Sequence, residues 1–248
     1  NQINKLSGAS FAIDNEETAN LRNEIFKLCD NYFEKVHYKK QFEPGKSTIA
    51  ASSKVLTKDD LRAMVDACLD LWLTTGRYAE MFEKELSKEF GSKFASLTVS
   101  GSSANLLAFS ALTSDSLGKK RIKQGDEIIT VAAGFPTTVA PIIHHNCVPV
   151  YLDVELDTAN IDVKYLEKAL SKKTKGIFLA HTLGNPFNVN EVVNFCKKHN
   201  LYFIEDCCDA FGSKYNNKTV GSFGDLATLS FYPAHHITTG EGGAVLHN

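Results

Sequence analysis

Apolar residues near the start of the chain recur at the spacing of an α-helix. Between about Glu16 and Val36 they fall close to the 3.6-residue period that places side chains on one helix face. The positions that define this face are Leu21, Ile25, Leu28 and Phe33. The pattern therefore predicts a first helix over residues 16–36.

Two further helices are predicted before residue 91. Thr57 is followed three residues later by Asp60, a capping-box-like start for a helix that we expect to run to about Leu73. Gly76 then separates this helix from another amphipathic segment, Tyr78 to Phe90. The first part of the chain is thus expected to be helical.

From Phe94 onward, short apolar runs alternate with helical segments. The predicted strands are Phe94–Val99, Glu127–Ala132, Val148–Val154, Gly176–His181, Leu201–Asp206, Leu226–Phe231 and Gly243–Leu246. The predicted helices are Ser103–Leu112, Pro136–His144, Val163–Leu170 and Glu191–His199. This order predicts an α/β fold in which a mostly parallel, seven-stranded sheet lies between helices. Ligands in such folds bind at the carboxyl ends of the strands.

Composition and charge exclude several classes of protein. With 248 residues and 43% hydrophobic content, the chain can bury a sizeable core. A formal net charge of −2 gives no basic surface for nucleic acid, and the cluster Lys119, Lys120, Arg121 and Lys123 is interpreted as a solvated turn. No apolar run approaches the ~20 residues that span a bilayer, so we expect a cytoplasmic protein without membrane association.

The six cysteines are scattered and include no C-x-x-C pair. We therefore expect reduced thiols and no metal site in this chain. The first residue is not methionine, and the apolar run 242–246 has no following element to cover it. We expect a fragment with an N-terminal helical segment at residues 1–53, a large domain at residues 54–248, and a missing C-terminal small domain.

The segment 100–105 (SGSSAN) follows a predicted strand and opens a predicted helix. Unpaired backbone N–H groups and the helix dipole make such a terminus an anion site. A Ser N-cap after a tight turn explains the same residues, and on this loop alone that interpretation is favoured. The loop contains neither the phosphate-loop nor the dinucleotide glycine pattern.

Carboxylates follow the strongly apolar run 201–204. Glu205, Asp206 and Asp209 fall within five residues, and acids at the end of a buried strand are costly unless a cation or hydrogen bonds compensate them. Pairing or capping would explain one of them, whereas three together favour a functional site.

The segment 230–243 (SFYPAHHITTGEGG) is the most informative stretch. It leads from a strand through a turn with a proline and two histidines to a glycine-rich return. Adjacent histidines in irregular backbone usually point in different directions, so a shared metal is not predicted. After another strand, Phe135 places an aromatic ring at the ligand edge, although alone it would be interpreted as a core residue.

Together these segments resemble the DegT/DnrJ/EryC/StrS family of sugar aminotransferases and dehydratases. These enzymes use pyridoxal or pyridoxamine phosphate and have the aspartate aminotransferase-like, type I fold of PLP-dependent transferases. The resemblance runs from about Lys54 to the last residue and depends on the order and spacing of the motifs. Residues 72–77 (WLTTGR), 132–139 (AAGFPTTV) and 230–236 (SFYPAHH) resemble in particular the 3-dehydratases of dideoxysugar and lipopolysaccharide O-antigen biosynthesis that act on CDP-linked 4-keto-6-deoxyhexoses.

The resemblance implies a role for each of several side chains. Ser102, Ser103 and Ser230 would hold the cofactor phosphate. Phe135 would stack on the pyridine ring and Asp206 would pair with the ring nitrogen. Asp209 would contact the ring or its hydroxyl, and His181 matches a histidine that is common near the site.

His235 falls where ordinary members of the family have the lysine that binds the cofactor covalently. An imidazole cannot form that Schiff base, so the resemblance implies non-covalent pyridoxamine 5′-phosphate, with His235 as the catalytic base. Completing the deoxygenation requires two electrons. The resemblance implies an NADH-dependent flavin and iron-sulfur reductase as partner and a [2Fe-2S] cluster whose ligands lie beyond Asn248. It also implies a nucleotide-sugar substrate and a homodimer or larger assembly.

Three other interpretations remain open at this stage. A GDP-4-keto-6-deoxymannose 3-dehydratase would also have histidine in place of the lysine, but no cluster. A nucleotide-sugar aminotransferase would need a lysine that neither Lys214 nor Lys218 supplies, because both precede the strand. A degenerate sugar-binding protein would have no reason to keep the acids, serines and Phe135 together.

Overall fold

The computed structural model describes residues 15–37, 42–49 and 54–247. The chain divides into two compact units, residues 1–82 and 83–248. The boundary at residues 53/54 that the sequence suggested stays a prediction. No helix in the described ranges is both long and apolar enough to cross a membrane.

The first unit is built on two capped helices. Helix α1 (Glu16–Val36) begins after Asn15, and α2 (Lys58–Leu69) begins after Thr57, each with a capping box that satisfies the first backbone N–H groups. Helix α1 has the predicted bounds. Helix α2 ends four residues before the predicted Leu73, because Leu71 adopts a left-handed conformation with φ of 49°.

An ion network explains why the chain turns where α2 ends. The guanidinium of Arg77 is 8% exposed and donates to Asp70 at 2.7 Å and to Asp66. Arg22 of α1 pairs with the same two carboxylates. Tyr78 donates to Asp66 at 2.8 Å, and burial together with this bond raises the pKa of Tyr78 to about 12. Since every charge here has an opposite partner, the network can be part-buried.

The second unit is a seven-stranded sheet with helices on both faces. Its strands are β1 (Phe94–Thr98), β2 (Glu127–Val131), β3 (Val148–Leu152), β4 (Thr174–Ala180), β5 (Tyr202–Asp206), β8 (Leu226–Ser230) and β9 (Gly243–His247). Its helices are α3 (Arg77–Phe90, which begins in the first unit), α4 (Gly101–Leu112), α5 (Pro136–His144), α6 (Leu166–Ala169) and α7 (Val189–His199). A two-stranded hairpin of β6 (Lys214–Tyr215) and β7 (Lys218–Thr219) was not predicted.

The strand order is β1-β9-β8-β5-β4-β2-β3, and only β9 runs antiparallel to its neighbours. The predicted α/β class and mostly parallel sheet are confirmed. Each strand places alternate side chains on opposite faces. Ile177 and Phe203 pack with the α7 side, whereas Phe178 and Ile204 pack with α4. The carboxyl ends of β1, β2, β4, β5 and β8 meet at one edge.

Candidate active site

Asp206 is the last residue of β5 and lies on the α4 face of the sheet. Its carboxylate is buried, with a residue exposure of 4%. Oδ2 accepts hydrogen bonds from the Asn105 side-chain amide at 2.9 Å and the Thr138 hydroxyl at 2.7 Å, and Oδ1 accepts from the backbone N–H of Cys208 at 3.1 Å. Among the described residues Asp206 has no ion-pair partner. The carboxylate is therefore held in place by neutral donors alone.

Glu205 precedes Asp206 and points to the other face of the sheet. Its carboxylate is fully buried and accepts from the backbone N–H groups of Gly221, Phe223 and Gly224 at 2.7–2.9 Å. The same carboxylate pairs with His181 at 3.1 Å. Because strand neighbours alternate, one of the adjacent acids braces a turn and the other faces the candidate site.

His181 lies directly after β4 and is 1% exposed. Its ring stacks on Phe187 with centroids 4.3 Å apart, and its Nε2 pairs with Glu205. The structure thus brings the His181 side chain to Glu205, while the His181 backbone N–H donates to Asp206 O at 3.1 Å. The predicted contribution of His181 to cofactor binding stays a prediction. Its observed side-chain contacts are with Glu205 and Phe187, on the face of the sheet opposite to the Asp206 carboxylate.

The first turn of α4 and the end of β8 form a narrow cradle. Ser100 caps α4 by accepting from the Ser103 N–H at 3.1 Å, as the N-cap interpretation predicted. A Cβ at Gly101 would lie 2.6 Å from Ser230 Cβ and 2.9 Å from Cys208 Sγ. Only glycine lets the helix terminus approach β8 this closely. The Ser230 hydroxyl therefore lies beside the first turn of α4.

Phe135 is the residue before α5, after the end of β2. Its side chain is not in the core, because 68% of the residue is exposed. Pro136 at the first helical position favours the start of α5 at this point. An exposed aromatic ring at the ligand edge is available to stack on a bound planar group.

The loop of residues 231–242 joins β8 to β9 and is closed at its base. Phe231 O accepts from the Thr238 hydroxyl at 2.8 Å and from the Thr239 N–H at 3.1 Å, and the Phe231 N–H donates to Gly242 O at 2.9 Å. Within the loop, the Nδ1 atom of His235 lies 3.0 Å from Asp209 Oδ1.

One group of potential metal ligands occurs among the described residues: His181, Glu205 and Cys207, whose ligand atoms lie within 4.8 Å of one another. The Glu205 carboxylate is already used by three backbone donors and His181. Burial raises the pKa of the Cys207 thiol well above its usual value, so the thiol stays protonated. We therefore interpret the group as structural. Burial likewise raises the pKa of Cys208.

Sequence reasoning missed the residues that support Asp206. Asn105 is 1% exposed and bridges Asp206 to the Thr228 hydroxyl, which donates to Asn105 Oδ1 at 2.6 Å. Thr138 completes the support from α5. The signal was a polar side chain inside an apolar segment: Asn105 in GSSANLLAF and Thr228 in LATLS. Such a side chain needs a buried partner.

Comparison with known proteins identifies the family. Residues 55–248 match the DegT/DnrJ/EryC1/StrS aminotransferase family, and the chain belongs to it. It is 53% identical over 226 residues to the lipopolysaccharide biosynthesis protein RfbH of Salmonella typhimurium, covering 91% of this chain and 52% of that protein. It is 51% identical over 205 residues to dTDP-4-dehydro-2,6-dideoxy-D-glucose 3-dehydratase of Saccharopolyspora spinosa, covering 83% and 44%.

Solved structures show the same fold. The GDP-4-keto-6-deoxy-D-mannose-3-dehydratase of E. coli with bound hydrated PLP superposes with a TM-score of 0.75 at 35% identity, covering 79% of this chain and 50% of that chain. The chain therefore spans about half the length of the relatives it matches.

Proposed function

We propose that this chain is the cofactor-binding part of a pyridoxamine-phosphate-dependent 3-dehydratase. Its substrate is a nucleotide-linked 4-keto-6-deoxyhexose, with CDP as the nucleotide, in dideoxysugar biosynthesis. The observation that carries the proposal is His235 in the loop after β8, within a stretch, residues 219–248, that contains no lysine. A family member without a lysine there has no Schiff-base nucleophile in this segment.

Three features of the described residues fit pyridoxamine phosphate. The α4 terminus, Ser102, Ser103 and the Ser230 hydroxyl supply donors for a phosphate. Asp206 is a buried carboxylate without a cationic partner, which suits the protonated nitrogen of a pyridine ring. Phe135 exposes an aromatic face for that ring.

The bound cofactor would supply an amine for the sugar's keto group and a ring that accepts electrons. Asp206 would hold the proton on the ring nitrogen, and Phe135 would pack against the ring. The family resemblance would place Asp209 near the ring or its hydroxyl, and its side chain lies beside His235. His235 would take up a proton on its imidazole and pass it to the departing C3 hydroxyl, so that the C3–O bond breaks and the oxygen leaves as water.

Net deoxygenation also forms a C–H bond, which consumes two electrons and a proton. An NADH-dependent flavin and iron-sulfur reductase would supply them, through a [2Fe-2S] cluster whose ligands would lie outside this chain. The six cysteines here do not form such a set: the described ones are free thiols, and the adjacent pair Cys207 and Cys208 lies beside the candidate site. We place this enzyme, as a homodimer or larger assembly, in the cytoplasm, where nucleotide sugars and NADH are available.

The structure disfavours an aminotransferase function for this chain. Lys214 and Lys218 lie on the β6–β7 hairpin, and the Lys218 ammonium donates to Ser222 O at 2.8 Å and lies over the Phe223 ring. Neither lies on the β8–β9 loop. A GDP-sugar 3-dehydratase is the second candidate, because the superposed E. coli enzyme is named for that substrate.

Borohydride trapping tests the proposal that the cofactor is held without a covalent bond. The full-length protein is loaded with pyridoxal phosphate, reduced and analysed by mass spectrometry. We expect no cofactor-peptide adduct, whereas a His235→Lys variant, the positive control, acquires one. An adduct on any lysine of the unmodified protein would contradict the proposal.

A substitution at Gly101 tests the phosphate cradle. We expect Gly101→Ala to weaken binding of pyridoxamine phosphate by about tenfold, because the added methyl group must displace the Ser230 and Cys208 side chains. Gly134→Ala is the matched control, since a Cβ there has no atom within 4 Å. Equilibrium dialysis measures both affinities. Equal affinities for the two variants would remove Gly101 from the cradle.

A further inference from the structure

Asp209 and His235 come from different loops and meet side chain to side chain. Asp209 Oδ1 lies 3.0 Å from His235 Nδ1, and the two side chains are 50% and 22% exposed. His236, the next residue, is exposed, and no hydrogen bond or ion pair links it to any described residue. The contact therefore distinguishes the two histidines that the sequence places side by side.

Both loops are braced, so the contact follows from the fold. The Asp209 loop turns through the Ala210 N–H bond to Cys207 O at 3.0 Å. A Cβ at Gly184 would lie 2.8 Å from Asp209 O, so this loop packs directly on the loop after β4. The His235 N–H donates to Tyr232 O at 3.0 Å inside the closed β8–β9 loop.

The pair has a chemical consequence for the imidazole. An ionised carboxylate only accepts hydrogen bonds, and a neutral imidazole has one N–H group. Pairing with Asp209 therefore places that N–H on Nδ1 and the lone pair on Nε2. When Nε2 takes a proton, Nδ1–H can still donate to Asp209, so the ring keeps its orientation.

We infer that Asp209 is the positioning residue for His235: it fixes the ring orientation and the tautomer with the basic lone pair on Nε2. This inference rests on the proposed function only where Nε2 is taken to be the catalytic base. It gives Asp209 a role through His235, whereas the family resemblance assigned Asp209 to the cofactor ring. The Tyr232 ring also lies beside His235, with its centroid 6.4 Å from that of the imidazole.

Histidine NMR tests the inference on the full-length protein. The protein carries ¹⁵N-labelled histidine and is dialysed free of pyridoxamine phosphate; comparison with His235→Asn identifies the His235 signals. We expect the Nδ1–H tautomer in the unmodified protein. In Asp209→Asn we expect a mixture of tautomers, because the carboxylate that holds the N–H on Nδ1 is gone. Asp157→Asn, at an exposed position, is the matched control.

A second readout separates positioning from direct cofactor contact. With pyridoxamine phosphate bound, Asp209→Asn should lower turnover on the order of 10²-fold while the dissociation constant of the cofactor stays unchanged. Asp209→Glu, which keeps the carboxylate, should restore part of the preference for the Nδ1–H tautomer. An unchanged Nδ1–H tautomer in Asp209→Asn would overturn the inference. Failure of the proposed function would look different, as absent dehydration by the unmodified protein with the NMR signature intact.

Discussion

The His235→Asn variant of the full-length protein is expected to lose turnover by about 10²–10⁴-fold, the usual contribution of a positioned acid–base group. Asparagine approximates the polar shape of the imidazole but cannot take up a proton near neutral pH. Binding of pyridoxamine phosphate should be unchanged, because the proposed binding groups are Asp206, Phe135 and the serines of the cradle. NADH oxidation that depends on substrate and reductase measures the rate.

The adjacent histidine provides the control for this prediction. His236 is exposed and lies in the same loop, so His236→Asn should retain turnover close to that of the unmodified protein. Equal turnover for His235→Asn and the unmodified protein would contradict the assignment of His235 as the base.

The Asp206→Asn variant is expected to bind pyridoxamine phosphate more weakly, on the order of 10²-fold or more, because one partner of a buried charge pair is lost. Asn105, Thr138 and the Cys208 N–H all donate to this carboxylate. An amide in its place must turn its own N–H₂ group toward at least one of these donors. The substitution therefore removes the charge and disturbs the support together.

Two controls separate cofactor loss from unfolding. Asp157→Asn makes the same chemical change at an exposed position, and circular dichroism reports whether Asp206→Asn remains folded. A folded Asp206→Asn protein with undiminished cofactor affinity would show that the ring nitrogen is not bound here.

The fold was predictable because its signals are local. All seven strands of the main sheet and the helices between them lie within a few residues of their predicted bounds. Apolar runs and helical periodicity involve residues that are close together in the sequence, so they can be recognised without the structure. The end of α2 was not predictable. Leu71 adopts a left-handed conformation there, and the neighbouring Asp70 is held by Arg22 and Arg77. Arg22 is far away in the sequence and Arg77 lies across a turn, so no local pattern reveals these contacts. The β6–β7 hairpin is too short to give a period.

The candidate site was predictable in part. The position of the site at the carboxyl ends of the strands follows from the predicted order of strands and helices. Asp206 and Asp209 are recognisable as acids that end or follow an apolar strand. Adjacent acids cannot be assigned to opposite faces until the register is known, so Glu205 could not be separated from Asp206 by composition. The contacts of Asn105 and Thr138 with Asp206 span 101 and 68 residues, distances at which no sequence pattern operates.

The mass of the product tests the proposed reaction directly. The full-length protein is incubated with pyridoxamine phosphate, NADH, the reductase and, separately, the CDP-, dTDP- and GDP-linked 4-keto-6-deoxyhexoses. We expect the CDP-sugar to lose the mass of one oxygen atom, with consumption of one NADH per product, because a C–O bond at C3 is replaced by C–H. A product in which the keto oxygen has been exchanged for an amine, formed with glutamate and without NADH, would contradict it.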